Sequence, residues 1–384
     1  MKCAAIFSTG LAGLLVLASP HAAAKERLVV VEPALQTCYS ASGSAAGDDL
    51  LTGGLGRSGL AGAAPGFADA LNPTAVELRR RAIHTNYRAV LDITEAGGYG
   101  RFYGPNLDRN GNDTGSEGKI AGCETLAYLD DGSGSMNVTL MVQVPDSFDA
   151  NRPCIVTAAA SGSRGIYGAI GSAGEWGLKN GCAVAYTDNG KGNGLHDLMS
   201  NRAGRIDGTR AAADWLGAAS QFTAPLSDSA RLAYNAAWPE RVAFKHAHSQ
   251  RNPEKDWGAH TLEAVKFAFR VLNDQFAKSG GGRKFRLDRP TLFHPANTLV
   301  IASSISNGAT AALQAAEQDN EDLIDGIAVA EPTAQPGALD GLRIRQGDFE
   351  FPLVGKGLLD YFTHVNLYQP CAAYAGAVAG SPGQ

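Results

Sequence analysis

The residues best arranged for chemistry are Ser303-Ser304-Ile305-Ser306-Asn307-Gly308. They stand between a short apolar run, Leu299 to Ala302, that reads as a buried strand, and an alanine-rich run from Ala309 with helical spacing. A serine held in a sharp strand-to-helix turn is the arrangement of a nucleophile elbow, which needs small residues two before and two after the nucleophile. Ser304 and Gly308 fill those places around Ser306; Ser304 replaces the usual glycine, so the steric demand is met although the G-x-S-x-G string is not. The backbone N–H of Asn307 would then help to bind an oxyanion. A second set of donors is expected from the loop after an earlier strand. Ala160-Ser161-Gly162-Ser163-Arg164-Gly165 follows the apolar run CIVTAA, and Gly162 and Ser163 are the candidates. An ordinary turn or helix cap is the competing reading of that loop. A serine nucleophile also needs a base, and the base an acid. His364 is the one histidine C-terminal to Ser306, and Glu331 ends the strand after the elbow helix. The order Ser306, Glu331, His364 suits this class, but LLDYFTHVNLYQP around His364 reads as a packed helix face.

Other chemistry is thinner. His246 and His248 form an H-x-H pair in a polar loop with no third metal ligand at suggestive spacing. His196 and Asp197 follow a strand and either line a pocket or cap a turn. Asp108, Asn110 and Asn112 imitate the start of a calcium loop, yet Asp113 stands where glycine is required and Lys119 where the closing glutamate belongs. A polar surface turn is expected there. No metal and no cofactor is implied.

These groups must be positioned by a core. The 384 residues are 44% hydrophobic and 18% charged, enough apolar material for a sizeable globular interior. The 47 glycines show no Gly-X-Y period, which excludes collagen. A net charge of −5 argues against a nucleic-acid partner, since there is no basic excess to neutralise phosphates. Lys2, the apolar Ala4–Ala18 run and Ala22-Ala23-Ala24 make residues 1–24 a secretory signal peptide cut before Lys25, too short to span a bilayer. The mature chain is expected outside the cytoplasm, in periplasm or medium, without stable membrane insertion. Removing Cys3 leaves Cys38, Cys123, Cys154, Cys182 and Cys371, an odd number that implies a free thiol or a missing partner. For Cys154 and Cys182, pairing and simple burial are equally open.

Residues 25–135 read as an N-terminal extension packed on the core, with one helix-period stretch from Thr74 to Glu95 among turn-rich segments. From 136 to 384 short apolar runs alternate with helices: 137–144, 154–159, 182–186, 297–302 and 324–330 as strands, 261–276 and 309–318 as helices. That alternation predicts an α/β fold with a parallel sheet, α/β-hydrolase-like, carrying insertions and incomplete on its C-terminal side.

Several phrases carry a resemblance. GDDLLTGGLGRSGLAG (47–62), ELRRRAI (77–83), NVTLMVQVPDSFD (137–149), SGSRGIYGAI (161–170), AGEWGLKNGCAVAYTDNGKGNGLHDL (173–198), FKHAHSQRNPEKDWG (244–258), SSISNGA (303–309) and LLDYFTHVNLYQPCAA (358–373) resemble the D-(-)-3-hydroxybutyrate oligomer hydrolases. The resemblance implies a secreted bacterial esterase that acts on small hydroxybutyrate esters in the breakdown of poly(3-hydroxybutyrate). It places the nucleophile of a charge relay at Ser306. In that family the relay acid and histidine lie in GRxDxLxP-type and QHFD-type stretches, and neither occurs here; a chain cut short on its C-terminal side is expected, with little turnover of its own. A secreted hydrolase of another ester or of peptides is the alternative.

Overall fold

The computed structural model describes residues 29–41, 48–162, 164–190, 194–245, 253–278, 291–333, 343–351 and 358–373. The leader, Ser163, His246 and His248 lie outside the described residues, as does the side chain of His364. In chain order the elements are β1 (Val29–Tyr39), α1 (Gly56–Ala61), α2 (Ala75–Val90), β2 (Gly122–Asp130), β3 (Val138–Pro145), β4 (Cys154–Ala159), α3 (Glu175–Lys179), β5 (Ala183–Thr187), β6 (Leu195–Asp197), β7 (Arg202–Gly204), β8 (Arg210–Ala212), α4 (Ala213–Leu216), α5 (Asp228–Ala237), β9 (Val242–Phe244), α6 (Trp257–Lys278), β10 (Leu299–Ile305), α7 (Asn307–Gln318), β11 (Gly326–Ala330), β12 (Ile344–Gln346), β13 (Phe349–Phe351) and α8 (Leu358–Ala373).

Seven strands form the central sheet in the order β1-β2-β3-β5-β4-β10-β11. The strands β5, β4, β10 and β11 are mutually parallel, whereas β1, β2 and β3 join antiparallel. A wholly parallel sheet is therefore not what forms. Antiparallel partners can be joined by short turns, and β2 and β3 are separated only by residues 131–137. Because β1 and β2 lie before residue 136, the 25–135 segment supplies two strands of this same sheet rather than only packing against it.

Side-chain alternation divides the core between the two faces of the sheet. On one face Leu140, Val142, Val144, Ile155, Ala183 and Ala185 meet Ala264, Val265, Ala268 and Leu272 of α6. Phe148 and Phe293 close that core edge to face, with ring centroids 5.7 Å apart. On the other face Met141, Val156, Val184 and Tyr186 meet Leu50, Leu60, Ile83 and Tyr87, the last two from α2. Helix α2 starts at a capping box: the Thr74 hydroxyl accepts the Glu77 N–H while the Glu77 carboxylate accepts the Thr74 N–H.

Two disulfides tie the sheet. Cys38–Cys123 joins facing residues of β1 and β2, and Cys154–Cys182 joins the start of β4 to the residue before β5. Among the described residues Cys371 is unpaired and exposed. Residues 358–373 do form a helix, but Phe362, Val365, Leu367 and Tyr368 are exposed, contrary to the packed face expected there. Apolar spacing gives the helix without saying what it packs on. Among the described residues no helix is long and apolar enough to cross a membrane.

Candidate active site

The elbow is built by β10, which must turn directly into α7. Ser306 absorbs the turn with φ 59° and ψ −128°, a left-handed conformation that a residue with a side chain rarely adopts. Bracing from both sides holds it there. The pairing of β10 with β11 runs to Ile305 opposite Ala330, and the Ser306 N–H donates to the Ala330 carbonyl at 3.0 Å. On the β4 side, Thr157 Oγ1 donates to the Ser303 carbonyl at 3.0 Å and accepts the Ser303 N–H at 2.8 Å.

The two small flanking residues earn their places differently. A Cβ on Gly308 would lie 2.2 Å from the Ala159 carbonyl oxygen and 2.4 Å from Ser304 Oγ, so α7 approaches β4 too closely for any side chain. Ser304 is buried, and its hydroxyl donates to that same Ala159 carbonyl at 2.5 Å. Serine thus fits where glycine is usual because its hydroxyl finds a backbone acceptor instead of being stranded.

Ser306 Oγ donates to Asn307 Oδ1 at 3.3 Å, the partner it has among the described residues. Ser306 is the N-cap of α7 and Asn307 its first residue. The first-turn N–H groups of a helix have no intrahelical acceptor, and the helix dipole adds partial positive charge there. An anion forming beside Ser306 would meet both. The strand beside the elbow strand is β4, and a loop follows it. Its Ala160 N–H donates to the Thr187 carbonyl at 2.9 Å, Ser161 is buried, and Gly162 takes φ +66°. Gly162 and Asn307 therefore follow the carboxyl ends of two adjacent parallel strands, β4 and β10.

The other candidates separate from this site. Glu331 directly follows Ala330 in a left-handed conformation, but its side chain is exposed. His196 is structural: Nδ1 accepts the Ala224 N–H at 3.2 Å, which leaves Nε2 to donate to Asn201 Oδ1 at 3.0 Å. Asp197 caps a turn, accepting the N–H groups of Met199 and Ser200 and the Ser200 hydroxyl. Asp108 likewise accepts the N–H groups of Asn110 and Asn112. Among the described residues no group of three or more His, Cys, Asp or Glu could hold a metal ion.

Three features escaped sequence reasoning. Thr157 gives no motif, since its role depends on which strand lies beside β4. His260 on α6 is buried with Nδ1 unpartnered, and burial pushes its pKa down to about 4. Arg164 could have been noticed as a charge inside a Gly/Ser loop that follows a buried strand.

Fold and site together define an α/β protein that presents a strained serine at a helix N-terminus, on the carboxyl edge of its parallel strands. The chain belongs to the 3HB-oligomer hydrolase family, whose family model matches residues 16–384. It is 56% identical over 350 residues to the D-(-)-3-hydroxybutyrate oligomer hydrolase of Paracidovorax citrulli, covering 91% of this chain and 48% of that protein. It is 57% identical over 344 residues to the one from Albidiferax ferrireducens, with 89% and 48% covered. With the Polaromonas naphthalenivorans protein of the same name, identity is 58% over 333 residues, with 87% and 47% covered. The chain thus spans about half the length of the curated relatives it matches. No solved structure matches it.

Proposed function

We propose that this chain carries the nucleophile of a secreted serine esterase that hydrolyses D-(-)-3-hydroxybutyrate oligomers and dimers to monomers; its relatives are named as hydrolases of D-(-)-3-hydroxybutyrate oligomers. The observation that carries the reading is the left-handed Ser306 between β10 and α7, with Gly308 pressed against β4. Ser306 Oγ bonds to an ester carbonyl carbon as its proton passes to a base. The Asn307 N–H and a backbone N–H of the loop after β4, at Gly162, hold the oxyanion. Collapse expels the hydroxyl end of the neighbouring unit with that proton and leaves an acyl-enzyme. Water then adds to the acyl carbon, frees the acid and returns the serine hydroxyl.

We read the sheet as the α/β-hydrolase type. In its favour, the elbow strand lies beside β4, whose following loop is where that fold supplies its second oxyanion donor. Export is supported by the leader-like residues 1–24 and by two disulfides, which persist in oxidising compartments. Ser306→Ala in a version extended to the length of its relatives tests the reading: hydrolysis of the hydroxybutyrate dimer should vanish. Parallel assays on p-nitrophenyl esters and peptides separate this substrate class from a general esterase or a peptidase.

A further inference from the structure

The loop after β4 carries a charge that the elbow does not use. Arg164 lies two residues beyond Gly162, and its Nε and Nη2 are shut off from solvent with no hydrogen-bond partner. Burial pulls its pKa down, with no neighbouring charge among the causes. Arg79, which lines the same cavity, is the opposite case: it binds the Glu124 carboxylate with Nε at 3.1 Å and Nη2 at 3.0 Å, and Asp48 with Nη1 at 2.9 Å. A guanidinium left unpaired while partly buried is costly and calls for an anionic partner.

The cavity has a volume of about 400 Å³, and Leu35, Val76, Ile166 and Ile206 are among its apolar walls. Its own carboxylates are engaged elsewhere. Glu124 is held by Arg79, Asp207 accepts the Thr209 N–H and hydroxyl, and Asp188 accepts the Gly190 N–H and lies in the field of Lys245. The loop that bears Arg164 begins at Ala160, beside the Ala159 carbonyl on which Ser304 and Gly308 rest. One loop thus runs from the end of β4, the strand beside the elbow strand, to an apolar cavity with an open guanidinium.

We propose that Arg164 is the anchor for the free terminal carboxylate of the oligomer, with the methyl-bearing chain lying against the apolar walls; this rests on the esterase reading above. A guanidinium fork matches a carboxylate with two parallel hydrogen bonds. The anchor makes the site selective for short oligomeric acids over neutral esters.

The test is calorimetric binding to the full chain carrying Ser306→Ala, so that ligand is not consumed. The probes are the D-3-hydroxybutyrate dimer and its methyl ester, which lacks the charge. The acid should bind about 10- to 100-fold more tightly than the ester, the range for a hydrogen-bonded charge. Adding Arg164→Gln should abolish that difference and leave ester binding unchanged, and Arg164→Lys should restore part of it. Binding of neither probe, equal binding of both, or a preference that survives Arg164→Gln would overturn the proposal. The acid-to-ester comparison needs no Arg164 variant to fold. Failure of the esterase reading would show separately, as no hydroxybutyryl group on Ser306 after treatment with p-nitrophenyl 3-hydroxybutyrate while the acid preference remains.

Discussion

Three positions at the elbow give sharply different expectations. Ser306→Ala removes the nucleophile, and dimer turnover should fall by roughly 10⁴–10⁶, the scale seen when such a serine is lost. Ser304→Ala keeps the position small but gives up the hydrogen bond to Ala159, so we expect retained activity and a stability loss of about 1 kcal/mol by urea titration. Gly308→Ala drives a methyl group into the Ala159 carbonyl. Overpacking of this kind costs about 1–3 kcal/mol, and here it also displaces α7 and the Asn307 N–H. Activity should therefore fall further than stability, and a fully active Gly308→Ala protein would contradict the bracing described. The demand for small residues around Ser306 is local, which is why it was legible in six residues of sequence. The roles of Thr157 and Arg164 were not, because each depends on what a distant segment places opposite it.

At the scale of elements, the disulfide between β4 and β5 and the buried end of α6 are the testable features. Cys154–Cys182 closes a 28-residue separation. Opening it with Cys154→Ala and Cys182→Ala should cost about 3–4 kcal/mol by the chain-entropy relation, read as a lower Tm under non-reducing conditions. His260 makes stability depend on pH. Its pKa is about 4 in the fold against an ordinary 6.5, so the unfolded chain takes up its proton first as pH falls. Its contribution is complete above pH 6.5 and is lost on the way to pH 4, a change of about 3 kcal/mol. Urea titrations at pH 7 and pH 4 should show that loss, and His260→Gln should flatten it. An unchanged slope in the variant would assign the acid sensitivity elsewhere. Helices α2, α6 and α7 were legible from spacing, with α6 and α7 beginning within a few residues of where periodicity puts them, whereas α5 was not. Strand direction was not: VTLMVQV is buried on both faces and reads alike in a parallel or an antiparallel sheet.

Over the whole molecule, one sheet unites what sequence divides at residue 136. The Gly- and Ser-rich stretch after Cys38 hid that β1 and β2 belong to it, since turn residues mark breaks but not the return of the chain. Export should be visible as an N-terminus at Lys25 on protein recovered outside the cytoplasm, and an intact Met1 there would count against a cleaved leader. Ser306 Oγ has Asn307 as its partner among the described residues and Glu331 is exposed. Residues 25–384 are therefore expected to turn over the dimer far more slowly than the twice-longer Paracidovorax citrulli relative. Comparable rates, lost on His364→Ala, would instead make Ser306, Glu331 and His364 the relay. The most direct test of the central claim needs only acylation. The chain is mixed with excess p-nitrophenyl 3-hydroxybutyrate, quenched in acid and mapped by mass spectrometry. One hydroxybutyryl group should appear on the peptide that contains Ser306, and none on the Ser306→Ala protein. Modification of another residue, or the same label on the Ser306→Ala protein, would contradict the account.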